Sequence, residues 1–335
     1  MKVTELAGAF GLENLVVKER ASRALGPNEV RVAIRARSLN FRDLLMVTGK
    51  YNPKLKLPVI PLSDGAGEVV EVGPAVRRFA VGDRVCPTFF ANFVGGEAPK
   101  SVLQATIGGP LDGTLTEEMV LDEESAVTFP SHLSFEQAST LPCAALTAWS
   151  ALVTFGRVEP GQTVLVQGTG GVSLFALQFA KLLGARVIVT SSSDEKLARA
   201  KALGADECVN YKAEPEWGKV ARAMTDGVGV DHVVEVGGGG TLGQSIRAVR
   251  PFGTISLIGI LAGSSTDVSL LPVLMQNVRV QGVLVGSRNG FEAMNRAIAT
   301  SKLEPVVDRT FAFDDARAAF EALRGAGHFG KLVVV

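Results

Sequence analysis

The segment Val164-Leu165-Val166-Gln167-Gly168-Thr169-Gly170-Gly171-Val172-Ser173 decides the fold of this 335-residue chain. Its apolar opening reads as a strand. Beyond the glycines, Val172, Phe175, Ala176, Phe179, Leu182 and Leu183 recur at helical spacing until Gly184 stops the run. A strand that turns through glycines into a helix is the context in which a G-x-G-x-x-G pattern binds a dinucleotide. Gly168 permits the tight turn, and Gly170 lets the backbone approach a pyrophosphate resting on the positive helix N-terminus. The usual third glycine is Ser173 here, small enough to pack helix against strand. Gly168, Thr169, Gly170, Gly171 and Val172 are therefore the expected phosphate-binding residues. The competing reading is a plain structural turn.

Apolar strands alternate with amphipathic helices from 160 to 285. Strands are expected at Val187–Thr190, near Cys208-Val209, at His232–Val236, at Thr254–Gly259 and at Val278–Val283. Continuous apolar strands separated by helices imply a parallel sheet covered on both faces, and about six strands fit an α/β, doubly wound Rossmann sheet. The end of the second strand selects the cofactor. A carboxylate there would accept hydrogen bonds from an adenosine ribose. Instead the chain has Ser191-Ser192-Ser193 followed by Lys196, with Tyr211 after the third strand. Hydroxyls and a lysine suit a 2′-phosphate, so Ser191, Ser192, Lys196 and Tyr211 point to NADP(H). The serines also suit a cap for the helix starting at Asp194.

Residues 1–125 have a different texture, with short alternating runs such as Glu29–Ile34 and Gly67–Val72 punctuated by Gly-Pro and Gly-Asp turns. They read as a mostly β domain. Residues 90–114 read as a long Gly/Pro-rich loop and 134–156 as helix interrupted by Pro142. The expected domains are 1–125, 126–285, and a tail, 286–335, returning to the first. The chain carries 34 basic and 34 acidic residues. This balance gives no electrostatic reason to expect nucleic acid or an anionic membrane as partner. No apolar run approaches a membrane span, and MKVTELAGAF lacks a signal-peptide core, so a cytoplasmic protein is expected. Cys86, Cys143 and Cys208 are far apart, as are His132, His232 and His328, and no close metal-ligand set is visible.

The motifs Asn40-Phe41-Arg42-Asp43, Pro61 to Gly73, Val81 to Val85, Leu141-Pro142-Cys143, Thr147-Ala148-Trp149, the glycine turn and Gly330 to Val334 together resemble the medium-chain dehydrogenase/reductase superfamily, in its zinc-free, quinone-oxidoreductase-like branch. The resemblance implies a GroES-like catalytic domain completed by the tail, a Rossmann domain, and cofactor and substrate meeting in a cleft between them. Zinc-dependent relatives carry a cysteine at the position of Asn40, a His-Glu pair at Ser63-Asp64 and a third ligand at Cys143. Two of those three ligands are missing, and a stretch from Phe89 to Gln104 lacks the four cysteines of the structural lobe. The implied activity is hydride transfer from NADPH to a quinone or an α,β-unsaturated carbonyl. The alternatives are a metal-independent alcohol or aldehyde dehydrogenase, and a non-catalytic, crystallin-like NADPH-binding protein. Asn40 is the expected partner of substrate oxygen or nicotinamide, and Tyr51 the expected proton donor, with water as the alternative. Asp43 and Asp64 are read as orienting neighbours, with Arg42 pairing either. Thr147, Ile260 and Val285 match nicotinamide-side positions. Lys331 is read as approaching the cofactor phosphates or as a solvent-exposed lysine, and Arg288 as a weaker candidate near the cleft. The strand at 278–285 lies at a sheet edge, and the family commonly dimerises there, so a homodimer is expected.

Overall fold

The computed structural model describes residues 1–335 and divides them into two compact units, Met1–Leu146 with Gly286–Val335, and Thr147–Val285.

In the second unit, six parallel strands lie in the spatial order Glu207–Asn210, Arg186–Ser191, Thr163–Gln167, Val230–Glu235, Val249–Leu257, Arg279–Gly282. Numbered along the chain this is 3-2-1-4-5-6, the Rossmann order. Leu165, Ile188, Val233 and Ile255 from four adjacent strands are wholly buried and form one core with Trp217, Ala221 and Ile246. The last strand is an exposed edge. Beside it Leu270, Leu271, Leu274 and Met275 stand open to solvent.

His232 sits in the fourth strand at 6 % exposure, its Nε2 3.2 Å from Gln162 Oε1. Burial pushes its imidazole down to about 4, with Asp231 pulling upward and Arg250 and Arg279 adding to the fall. An unfolded chain protonates this histidine near pH 6.5, whereas the folded chain refuses the proton until about pH 4. Stability is therefore whole above pH 6.5 and lost as pH falls toward 4. Urea unfolding at pH 7 and pH 5 should show a loss of about 2 kcal/mol from this group. His232→Gln should flatten that portion of the pH profile. A profile unchanged by the substitution would show that His232 is not its source.

The first unit is built on the long strand Glu29–Ser38. Asp64–Val72 pairs with one side of it, and Glu118–Asp122 and the closing strand Lys331–Val334 with the other, all antiparallel. Arg84–Pro87 and Ala126–Thr128 continue the sheet on one side, and Val307–Phe311 on the other. The tail thus returns to the first unit, with Val333 opposite Ser38 and Leu39 N–H donating to Leu332 O at 3.0 Å. The first expected domain extends further than residue 125, to Leu146. Long-range bonds draw it there: Ser38 Oγ to Ser139 O at 2.9 Å, Cys86 Sγ to Ala138 O at 3.3 Å, and Cys143 N–H to Asp64 Oδ2 at 3.2 Å. The expected loop 90–114 contains a short helix, Lys100–Leu103, and is pinned at Phe90–Thr106. Arg42 anchors it further, donating to Ile107 O at 3.0 Å and Gly109 O at 3.3 Å. No helix is long and apolar enough to cross a membrane.

Candidate functional site

Strand pairing assembles a buried polar cluster in the first unit. Ser38 ends the central strand and lies opposite Asp64 on one side and Val333 on the other. Asn40 follows it, Ser63 precedes Asp64, and Lys331 opens the closing strand, so residues far apart in sequence meet at one end of three strands. Leu62 holds Ser63 in place at a cost. It is wholly buried with φ +72°, a conformation L side chains rarely adopt. Gly113 and Gly108 permit the close approach, since a Cβ on either would meet Leu62 backbone at 2.2 and 2.6 Å.

Within the cluster Lys331 is only 3 % exposed, and its ammonium donates to Asn40 Oδ1 at 2.5 Å and Leu39 O at 2.6 Å. Asp64 Oδ2 lies 4.0 Å away, while Asp64 Oδ1 accepts from Ser63 Oγ at 2.7 Å. Asn40 Nδ2 donates to Ser63 Oγ at 3.3 Å. This network fixes the amide orientation, with Oδ1 taken by the ammonium and one of two Nδ2 protons by Ser63. Burial pushes the Asp64 carboxyl up and the Lys331 ammonium down, each opposed by the charge of the other. Burial likewise pushes up the Cys143 thiol, with Asp64 adding and Lys331 opposing.

The other residues expected here take distinct places. Asp43 is wholly buried, and its carboxylate accepts from Asn40 N–H at 2.8 Å and Ser63 N–H at 3.3 Å. It positions the two rather than facing a ligand. Arg42 pairs with Asp43 at 3.1 Å, and its guanidinium stacks between Tyr51 and Phe89. Tyr51 is 45 % exposed. The reading of Lys331 as solvent-exposed is corrected, and two of its three donors are directed into the protein rather than toward a phosphate. Arg288 is bonded to Glu124 and lies 3.5 Å from Glu292, so it too is engaged within the first unit. A hollow of about 520 Å³ lined by Arg20, Arg31, Asp112 and Glu118 shares no residue with the cluster.

The second unit holds the glycine turn. Gly168 has φ +72° and donates to Thr190 O at 2.7 Å, closing the turn against the next strand. Gly170 caps the helix Gly171–Leu182, and no atom lies within 4 Å of where its Cβ would be. An open backbone at the N-terminus of a 12-residue helix suits an anion. Ser173, where a third glycine is usual, is 3 % exposed and donates to Gln167 O at 2.6 Å, bonding helix to strand. At the neighbouring strand ends Asn210 pairs with Ser191, and Tyr211 N–H donates to Ser191 O at 3.0 Å. This brings Tyr211 beside the serines. Ser193 caps the next helix by accepting Lys196 N–H at 3.3 Å. Ser191 is buried, Ser192 and Lys196 are half-buried, and Tyr211 is exposed. Thr147 is buried, Ile260 is half exposed, and Val285 is buried with φ +52°, a strained backbone for a β-branched residue.

Sequence reasoning missed one device in this unit. Glu235, wholly buried at the end of the fourth strand, accepts from Gln167 Nε2 at 2.7 Å, Gly237 N–H at 2.8 Å, Gly238 N–H at 2.9 Å, Thr241 Oγ1 at 2.6 Å, and Ser245 Oγ. It folds the four glycines 237–240 against 259–265, where a Cβ on Gly239 would meet Ser265 O at 2.0 Å. The signal was present in an acid within an apolar strand followed by four glycines.

Residues 171–300 match the zinc-binding dehydrogenase family, and residues 26–131 the alcohol dehydrogenase GroES-like domain. A zinc-type alcohol dehydrogenase-like protein of Schizosaccharomyces pombe is 45 % identical over 97 % of this chain and 96 % of its own. A quinone oxidoreductase of Pseudomonas aeruginosa is 37 % identical over 80 % of this chain and 76 % of its own. Among solved structures, an NAD-dependent alcohol dehydrogenase superposes with a TM-score of 0.91 at 35 % identity, covering 100 % of this chain and 99 % of that one.

Proposed function

The chain belongs to the medium-chain dehydrogenase/reductase superfamily of oxidoreductases, and we propose that it is a zinc-independent, NADPH-dependent member that reduces quinones or α,β-unsaturated carbonyls. One observation carries the reading. At two of the three positions the resemblance assigns to zinc ligands stand a carboxamide and a hydroxyl, hydrogen-bonded to each other, and the carboxylate beside them faces an ammonium. Asn40, Ser63 and Cys143 offer one soft donor and two neutral oxygen or nitrogen groups, and no three His, Cys, Asp or Glu side chains converge anywhere in the chain. This donor set does not fit zinc.

A bound nicotinamide supplies the hydride. Without a metal to polarise a simple carbonyl, the acceptor must already be electron-poor, which quinones and activated alkenes are. Lys331 behind the carbonyl oxygen of Asn40 strengthens its Nδ2 as a donor, one that must exchange the Asp64 carboxylate for an acceptor oxygen. Aimed at an enolate-like oxygen, it stabilises charge developing on the acceptor. Tyr51 or water then protonates the carbon.

NADPH is favoured over NADH because no carboxylate ends the second strand, Ser192 follows it, Lys196 lies in the first turn of the next helix, and Tyr211 N–H bonds Ser191 O. Lys196→Ala should raise the NADPH dissociation constant about tenfold and leave that of NADH within about twofold, read by fluorescence titration. Equal effects on both would refute the assignment. Steady-state NADPH oxidation should proceed with quinones and enals. Turnover confined to alcohols and simple aldehydes, or tight binding with no turnover at all, would overturn the proposed activity.

A further inference from the structure

We infer that the Lys331 ammonium occupies the metal position of the zinc-dependent relatives, so that this site holds a tethered monovalent cation where they hold a divalent one. The inference deepens the zinc-independent reading and rests on it.

Of the residues at these positions, Asn40 touches the ammonium and Asp64, the second member of the Ser63-Asp64 pair, faces it. Its Nζ lies 2.5 Å from Asn40 Oδ1 and 4.0 Å from Asp64 Oδ2, with Leu39 O at 2.6 Å as a further acceptor. Ser63 and Cys143 are tied to the same carboxylate, Ser63 through its hydroxyl at 2.7 Å and Cys143 through its N–H at 3.2 Å. A backbone carbonyl and a carboxamide oxygen accept two of the three ammonium protons, and the carboxylate at 4.0 Å balances the charge.

Charge points the same way. Asp43 is paired with Arg42 at 3.1 Å, which leaves Asp64 facing Lys331, so two buried carboxylates meet two cations and the set is closed. A divalent ion entering beside Lys331 would add two unbalanced charges to a buried site, at a large Coulomb cost over a few ångströms. The strand that carries Lys331 explains why the ammonium cannot leave. Lys331 to Val334 are all buried and pair with Val307–Phe311 on one side, and Val333 and Val334 pair with the central strand on the other. A cation delivered by the backbone in this way is neither exchangeable nor removable by chelators. It accounts for the neutral residues at Asn40 and Ser63, because a thiolate and an imidazole are no longer needed.

The test grafts the missing ligands. Two variants carry Asn40→Cys and Ser63→His beside the native Cys143, one keeping Lys331 and one with Lys331→Met. After zinc loading and dialysis, the Met variant should retain close to one zinc per chain and gain thermal stability with zinc. The Lys331 variant should bind at least about 100-fold more weakly. Zinc held equally by both, or by neither, overturns the placement of Lys331. Zinc retained by the unaltered chain would instead sink the zinc-independent reading itself. A second measurement needs no substitution and so survives any folding failure. Reductive methylation of the native chain, mapped by peptide mass, should label exposed Lys54 and leave Lys331 unlabelled. Labelling of Lys331 at the rate of Lys54 would also overturn the inference.

Discussion

A Gly170→Leu chain should fold within about 1 kcal/mol of the parent and yet lose nucleotide binding by at least about 100-fold. Glycine at this position is not required by the backbone. Its φ is −80° and its ψ −176°, extended values open to any residue, and an added Cβ meets nothing within 4 Å. Substitution removes no packing and demands no strained conformation. The empty space is what a dinucleotide phosphate needs, because the first N–H groups of the helix Gly171–Leu182 have no intrahelical partner. A leucine side chain projecting there excludes the anion while leaving the fold alone. Gly168 makes the contrast. With φ at +72°, Gly168→Leu strains the turn, so lost binding would be mixed with lost stability. Urea unfolding and calorimetric titration with NADPH and NADH on the Gly170→Leu chain separate the two. Parent-like affinity for both nucleotides would remove the helix N-terminus as the phosphate site.

The Rossmann sheet was legible because its signals are local. The glycine turn, the helix period after it and the apolar strands each occupy a short window, and the observed order 3-2-1-4-5-6 follows from them. The polar cluster was legible only in part. Asp43 and Asp64 were read as orienting neighbours with Arg42 pairing either, and Asp43 does accept from Asn40 N–H and pair with Arg42, because capping keeps these partners within one turn of sequence. Lys331 was not legible. Lysine is almost never fully buried, and its acceptors, Leu39 and Asn40, stand 292 and 291 residues away. The end of the first domain was missed for the same reason: Ala126–Thr128 is a three-residue strand pairing with Arg84–Pro87, and beyond it Ala138, Ser139 and Cys143 are drawn in by single bonds with Cys86, Ser38 and Asp64 that leave no periodic trace.

Replacing Glu235 by alanine should destabilise the second unit by about 3–5 kcal/mol, more than any other single substitution considered. The reason lies in what remains after the carboxylate is gone. Gly237 and Gly238 N–H, the Gln167 amide, and the Thr241 and Ser245 hydroxyls all donate to it. Gln167, Gly238 and Ser245 are themselves buried, so their donors lose a partner without regaining water. The damage should be directional. Gln167 precedes the glycine turn, and the glycines at 237–240 pack on 259–265, which carries Ile260. A loosened knot would therefore weaken nucleotide binding even where the chain stays folded. Glu235→Gln should cost less, because one carboxamide oxygen still accepts while the NH₂ confronts donors that were satisfied before. Equilibrium unfolding of the Ala and Gln variants, with NADPH titration of whichever remains folded, checks the order. An alanine variant within about 1 kcal/mol of the parent would show that water or a relaxed backbone replaces the carboxylate, and that the glycines alone hold this corner of the sheet.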